Sequence, residues 1–282
     1  MLIFTRIAPL RAYLSVQNHL QKSIGLVPTM GALHRGHVSL IAQSKAQTNI
    51  TVASIFVNPT QFTNQEDLLK YPRTIEADIL MLKKSGCDVL FYPLASEIYP
   101  NGMESKNYQW GTITNSIEGF FRPGHFNGVV TVVKRLFEII QPHKAFFGKK
   151  DYQQCAVIKE LVINFHMPIK IVLSETLREH SGLAMSSRNT RLSENEKTQA
   201  VAISQMLFWM RSHWRNFALP DLLHQARSLL TQSPALSVEY LNIVDSEKFD
   251  EVAVFQKEKG QYVVLIACWC GNVRLIDNIE LS

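Results

Sequence analysis

Two histidines three residues apart, His34 and His37, close the segment Pro28-Thr-Met30-Gly31-Ala32-Leu33-His34-Arg35-Gly36-His37, between a strand-like apolar run and a helical pattern starting near Gly36. At that spacing they share one face of the helix at its N-terminus, where unpaired backbone N–H groups and the macrodipole favour an anion. Gly31 and Gly36 permit close backbone approach, so the segment reads as a phosphate cradle. Imidazoles donating there would stabilise charge developing on a pentavalent α-phosphate. A lone histidine at such a turn more often caps its helix; two of them flanked by glycines favour the anion. As a metal site the pair is weaker, because no nearby carboxylate or thiol supplies a third ligand.

A second segment, Gly148-Lys149-Lys150-Asp151-Tyr-Gln-Gln154, also follows a strand-like run and opens a helix. Its lysines suit phosphate oxygens, Asp151 can accept from ribose hydroxyls, and Gln154 lies one turn on, on the same face as Asp151. A third, Met185-Ser186-Ser187-Arg188-Asn189, suits a mobile clamp on the β- and γ-phosphates, with Arg188 on the departing pyrophosphate. Taken alone it fits a solvated loop equally well. Gln61, in Val57-Asn58-Pro59-Thr-Gln61-Phe62, offers a donor and an acceptor to a hydroxy acid, or satisfies its own loop backbone. Arg122-Pro-Gly-His125-Phe126 has no phosphate rationale of its own.

The elements that must hold these residues follow from periodicity. Short runs rich in Val, Ile and Phe at 24–28, 51–57, 88–92, 144–147 and 169–173 read as buried strands. Between them, residues 74–84 carry Ile75, Ile79 and Leu82 at helical spacing, residues 125–141 carry Val129, Val132, Val133, Leu136 and Ile140, and residues 151–165 read as a further helix. The alternation predicts an α/β fold, a doubly wound parallel sheet in a Rossmann-like domain over residues 1–176, whose ligands lie beyond the carboxyl ends of the strands. Past that point Ser193-Glu-Asn-Glu196 forms a capping box opening a long helix to about Arg215. A second helix follows Pro220, then strand-like runs at 237–244, 262–270 and 273–276, giving a smaller α+β domain over 177–282.

The 282-residue chain is 46% apolar, 19% charged and 10% aromatic, without low-complexity stretches, which excludes disordered and solenoid readings. Its net charge of +5, from 29 basic and 24 acidic residues, is scattered instead of collected in runs; this suits an anionic small molecule and supplies no nucleic-acid stripe. Residues 1–20 are interrupted by Arg6, Arg11 and Gln17, and no apolar run reaches about 18 residues, so no membrane segment is expected and the cytoplasm is the default. Cys87, Cys155, Cys268 and Cys270 form no CxxC pair and read as reduced, mostly buried thiols, the last two on one strand face.

In order and interval, PTMGALHRGH, FVNPTQF, YPRT, RPGHF, GKKDYQQ and GLAMSSRN resemble the pantoate:β-alanine ligase (pantothenate synthetase) family, from about Gly25 to the Ser193 helix, and Leu275-Ile-Asp277-Asn278 is similar to that family's ending. HxGH alone would indicate only the wider nucleotidyltransferase superfamily. The resemblance implies ATP-dependent condensation of pantoate with β-alanine through pantoyl adenylate, with Mg2+ accompanying the nucleotide and no residue assigned to the metal. It implies ATP contacts from Met30, Gly31, Ala32, Leu33, His34, Arg35, Gly36 and His37, from Gly148, Lys149, Lys150 and Asp151, and from Leu177, Met185, Ser186, Ser187 and Arg188. His37 would be the proton donor, with His34, Lys150 and Arg188 beside it in the chemistry, while Gln61 and Gln154 bind pantoate and Gln61 also faces β-alanine. It further implies a homodimer, with the smaller domain as a lid. Two departures stand out: Lys149 where the family usually has Glu, and His180-Ser181 in place of Ala-Asp.

Overall fold

The structure, a computed structural model, describes residues 1–103, 105–256 and 260–281. The chain forms two compact units: Met1–Lys149 with Gln153–Glu175, and Lys150–Tyr152 with Thr176–Ser282.

The first unit is built on β1 (Leu2–Phe4), β2 (Ile24–Thr29), β3 (Ile50–Ile55), β4 (Val89–Phe91), β5 (Lys144–Gly148) and β6 (Lys170–Ser174), in the spatial order β1-β4-β3-β2-β5-β6. Every pairing is parallel, as the expected doubly wound sheet requires. Alternation along the strands feeds two cores. Leu26, Val52, Val89 and Phe91 meet Leu10 and Leu14 of the Ile7–His19 helix and the apolar stripe of the His125–Ile140 helix. Val27, Ala53, Ile55 and Leu90 meet Leu40 and Ile41 of the Arg35–Gln47 helix and Leu82 of the Ile75–Lys84 helix. With helices on both faces the inner strands β3 and β4 are buried throughout, which is why they read as continuous apolar runs. β1 and the helix after it are not expected from the sequence. The strand is only three residues long, and the Arg6 and Arg11 that interrupt the apolar pattern are exposed, Arg6 just before the helix and Arg11 beside its buried face of Leu10, Leu14 and Gln17.

The second unit pairs β7 (Leu236–Asp245), β8 (Tyr262–Cys270) and β9 (Val273–Leu281) as an antiparallel sheet in that order. The Glu194–His213 and Leu219–Thr231 helices join it in one apolar core. Cys268 and Cys270 point into it while Trp269, on the opposite face, is partly exposed. All four cysteines are free and buried, and burial pushes the Cys87 and Cys268 thiols up to about 11 and about 12. β9 runs five residues beyond the expected end at Ile276, because Asp277 and Asn278 stay in the ladder, opposite Ile266 and Leu265.

The Ser193 capping box forms as expected: Glu196 N–H donates to Ser193 Oγ (3.3 Å) and Ser193 N–H to Glu196 Oε2 (2.8 Å). The Ser193 N–H, together with the Ser193 hydroxyl donating to the same oxygen (2.8 Å), holds the Glu196 carboxyl below its ordinary 4.5. A lowered folded pKa means that the contribution is fully present above 4.5 and is lost as pH falls through the folded value. Ser193→Ala is expected to destabilise the unit by about 1 kcal/mol at neutral pH. The difference from the parent should shrink in thermal melts run below pH 4.5.

Candidate active site

The strand order reverses beside β2, which pairs β3 on one side and β5 on the other. Ligands of doubly wound sheets lie at such a point, beyond the carboxyl ends of the strands. β2 ends at Thr29, immediately before the Met30–His37 segment, and β5 ends at Gly148. Topology therefore brings the first two motifs to neighbouring strand ends.

The turn after β2 is strained and locked. Gly31 has φ +83 and Ala32 φ +49, the left-handed region that costs a residue with a Cβ of order 1 kcal/mol or more. A Cβ on Gly31 would come within 3.1 Å of Asp78 Oδ2 and of Ile55 Cγ2. Asp78, on the Ile75–Lys84 helix and only 2% exposed, accepts from Ala32 N–H at 2.9 Å and from Leu33 N–H at 2.8 Å, one on each carboxylate oxygen. Thr74 Oγ1 adds a third bond (3.2 Å), and Gly31 N–H donates to Thr29 Oγ1 (3.2 Å). The amides of residues 31–33 are thus committed inside the protein, so the expected cradle is left to the side chains that follow them.

Those side chains begin with the histidines. His34 N-caps the Arg35–Gln47 helix: Gly36 N–H donates to His34 Nδ1 (3.2 Å), and His34 N–H donates to His37 Nδ1 (3.2 Å). Capping and anion binding are therefore not alternatives. An Nδ1 that accepts leaves the proton of the neutral ring on Nε2, so both imidazoles are donors at Nε2. The ring centroids are 4.1 Å apart. The first turn of the helix carries no acidic residue, which preserves the dipole's preference for an anion. Arg35 is exposed.

Gln61 sits in a 3-10 turn, Pro59–Gln61, at the end of β3. Its Oε1 accepts from Asn58 Nδ2 (3.1 Å) and its Nε2 faces Met30 Sδ (2.9 Å), so the amide is oriented with its donors toward the first motif. Asn58, 1% exposed, has its own Oδ1 occupied by Tyr99 OH (2.7 Å) and Thr60 Oγ1 (3.0 Å) and donates a second bond to Gly128 O (3.1 Å). Burial raises the Tyr99 phenol's pKa, so it serves as a donor. His125 holds the Gln61 carbonyl through Nδ1 (2.7 Å) and therefore receives Arg122 Nη1 at Nε2 (3.1 Å); Arg122 in turn pairs with Glu118 (3.4 Å). This gives the otherwise unexplained Arg122–His125 segment a role that no phosphate rationale supplied.

Past β5, Lys149 pairs with Glu175 at 2.7 Å, which offsets the positive charge that distinguishes this chain at that position. Gln153 is a structural staple, accepting from Glu118 N–H (3.0 Å) and donating to Ile113 O and Ser116 O (2.9 and 2.8 Å). Its neighbour Gln154 is half-buried, and among the described residues no side-chain hydrogen bond to it is found. In the second unit, Lys150 and Asp151 belong with the C-terminal residues. There Met185 N–H donates to Leu177 O (3.0 Å), and Ser186 caps the Ser187–Arg191 turn through Arg188 N–H (3.2 Å). The expected residues of the third motif therefore form one ordered loop.

The sequence model of the Pantoate-beta-alanine ligase family matches residues 2–280. The chain belongs to this family. A pantothenate synthetase of Bacteroides fragilis (strain YCH46) is 43% identical over 281 residues, covering 99% of both chains, and one from Cytophaga hutchinsonii is 44% identical over 283 residues, covering 100% of this chain and 99% of its own. The structure of pantothenate synthetase from Thermus thermophilus superposes with a TM-score of 0.93 at 37% identity, covering 100% of both chains. A pantoate-beta-alanine ligase from Francisella tularensis, solved in complex with beta-gamma ATP and beta-alanine, gives a TM-score of 0.81 at 37% identity, covering 99% of this chain and 97% of its own.

Gly128 is where the Gln61 turn and the His125–Ile140 helix touch backbone to backbone: a Cβ there would fall 2.2 Å from Thr60 O and 2.6 Å from Gln61 N. Gly128→Ala is expected to destabilise the first unit in urea unfolding by roughly 1–3 kcal/mol, the cost of overpacking. An unchanged midpoint would mean that the turn is not fixed by this contact.

Proposed function

We propose that the chain is an AMP-forming carbon–nitrogen ligase that condenses pantoate with β-alanine to pantothenate at the expense of ATP. A pantoate carboxylate oxygen bonds to the α-phosphorus and pyrophosphate leaves; the β-alanine amine then attacks the acyl carbon of pantoyl adenylate and AMP leaves. The observation that carries this reading is the pair of imidazoles, each accepting a backbone N–H at Nδ1, at the switch point of a sheet in a chain of the pantoate–β-alanine ligase family. A carboxylate does not acylate amines at neutral pH, and adenylation supplies the leaving group.

The chain's own residues take these parts. His37 and His34 donate to the phosphoryl oxygens as charge develops, with His37 the proton donor. Lys150 neutralises phosphate charge, and Arg188 receives the departing pyrophosphate. Met30, Gly31, Ala32, Leu33, Arg35 and Gly36, with Gly148, Lys149, Asp151, Leu177, Met185, Ser186 and Ser187, surround the ATP. Gln61 and Gln154 bind pantoate, and the orientation of the Gln61 amide supports a donor role toward the acid and toward β-alanine. Residues 1–176 act as the catalytic domain and 177–282 as the smaller partner domain. Mg2+ enters with the triphosphate. Such an ion keeps several waters and is held largely by substrate phosphates. The enzyme works as a cytoplasmic homodimer.

The test is pantoate-dependent exchange of labelled pyrophosphate into ATP without β-alanine, followed by AMP release when β-alanine is added. A nucleotidyltransferase that stops at transfer would release pyrophosphate and never form AMP. His37→Ala or Lys150→Ala is expected to slow adenylate formation roughly 10²- to 10³-fold, as for loss of one charge-stabilising donor. Near-parental turnover in either variant would remove that residue from the mechanism.

A further inference from the structure

Asp277 and Asn278 are buried polar neighbours in β9, 5% and 6% exposed, in a strand whose flanking Leu275 and Ile279 belong to the apolar core. A carboxylate in such a place must be paired. Arg178 pairs it in a fork, Nη1 on Oδ2 at 2.6 Å and Nη2 on Oδ1 at 3.0 Å, and Asn278 N–H adds a bond to Oδ1 at 2.8 Å. The same guanidinium donates to Gly182 O (3.2 Å) and lies over the Phe208 ring.

Arg178 thereby sits within the loop that leaves at Leu177 and returns at Met185. Glu179 N–H donates to Leu183 O (2.8 Å), Arg178 bridges to Ala184, and Met185 N–H closes on Leu177 O (3.0 Å). Asn189, at the loop's far end, bonds Glu179 Oε1 and Ala184 O (2.8 and 3.0 Å). The neighbouring Asn278 reaches elsewhere: its Nδ2 donates to the backbone carbonyl of Lys150 at 2.8 Å. Two consecutive residues of one strand therefore hold, within the second unit, the loop bearing Leu177 and Met185–Arg188 and the main chain of Lys150.

We propose that Asp277 and Asn278 are positioning residues of the nucleotide site, acting through Arg178 on the 177–188 loop and directly on Lys150. The inference rests on the ligase reading above, in which those residues meet ATP. A buried ion pair gains little stability over an apolar pair of similar volume, because desolvation offsets its attraction; what it contributes is a fixed geometry. The strand uses Asp-Asn where apolar residues would have filled the same space.

The experiment measures pantoate-dependent pyrophosphate exchange and thermal unfolding on the full chain, for the parent and for Asn278→Ala. Loss of the bond to the Lys150 carbonyl is expected to raise the KM for ATP about tenfold while the KM for pantoate stays near the parental value. A lowered unfolding midpoint with an unchanged KM for ATP would make Asn278 structural only and overturn the inference, as would equal rises in both KM values. Should Asn278→Ala not fold, Asn278→Asp, of the same size but with an acceptor facing the carbonyl, is judged by the same split. Exchange absent from the parent protein would instead overturn the ligase reading, and the inference with it.

Discussion

The carboxylate of Asp78 is the contact on which the turn before the two histidines depends. It takes the amides of Ala32 and Leu33, one on each oxygen, from a position that solvent scarcely reaches. A buried charge without such partners would cost several kcal/mol or would neutralise itself. With them, it stabilises a left-handed Ala32 that would otherwise relax. Two residues later the chain enters the helix with His34 as cap, and the geometry of that entry occupies Nδ1 of both rings with backbone N–H groups. The acidic residue thus sets the conformation of the turn and leaves the proposed phosphate contacts to the imidazoles.

The same pattern recurs around Gln61. An amide can present either end to a ligand, and its direction here is set by Asn58, itself saturated by Tyr99, Thr60 and Gly128. The Glu118–Arg122–His125 chain fixes the backbone of the same turn. Residues proposed to meet small molecules are in this way supported by residues whose hydrogen-bonding capacity is spent internally, which is what precise positioning requires. In the second unit the Arg178–Asp277 fork does for the 177–188 loop what Asp78 does for the turn.

Much of this was legible in the sequence, because apolar periodicity and turn chemistry are local signals. The five strands, the His125–Ile140 stripe and the Ser193 box all appear where their spacing put them. β1 escaped because a three-residue edge strand is shorter than any pattern. Asp78 escaped because an acidic residue among Ile75, Ile79 and Leu82 reads as solvated; its position three after Ile75 and four before Leu82, on the apolar face, was the available signal. Asp277 and Asn278 resembled a strand end because their partners, Arg178 and the Lys150 carbonyl, lie 99 and 128 residues away. Gln153 and Gln154 are adjacent and chemically identical, and only the structure shows that the first is spent on Ile113, Ser116 and Glu118. What pattern reading misses is the long-range pairing of buried polar groups.

The most direct test of the account is the single-turnover rate of adenylate formation in Asp78→Asn, which keeps the size of the side chain and turns one acceptor into a donor facing a backbone N–H. An amide left without its acceptor in a buried turn costs about 1–3 kcal/mol, so the account predicts a rate roughly 10- to 100-fold slower in a protein whose near-UV circular dichroism remains native. A native spectrum together with a parental rate would contradict it, because the histidines would then hold their places without the carboxylate.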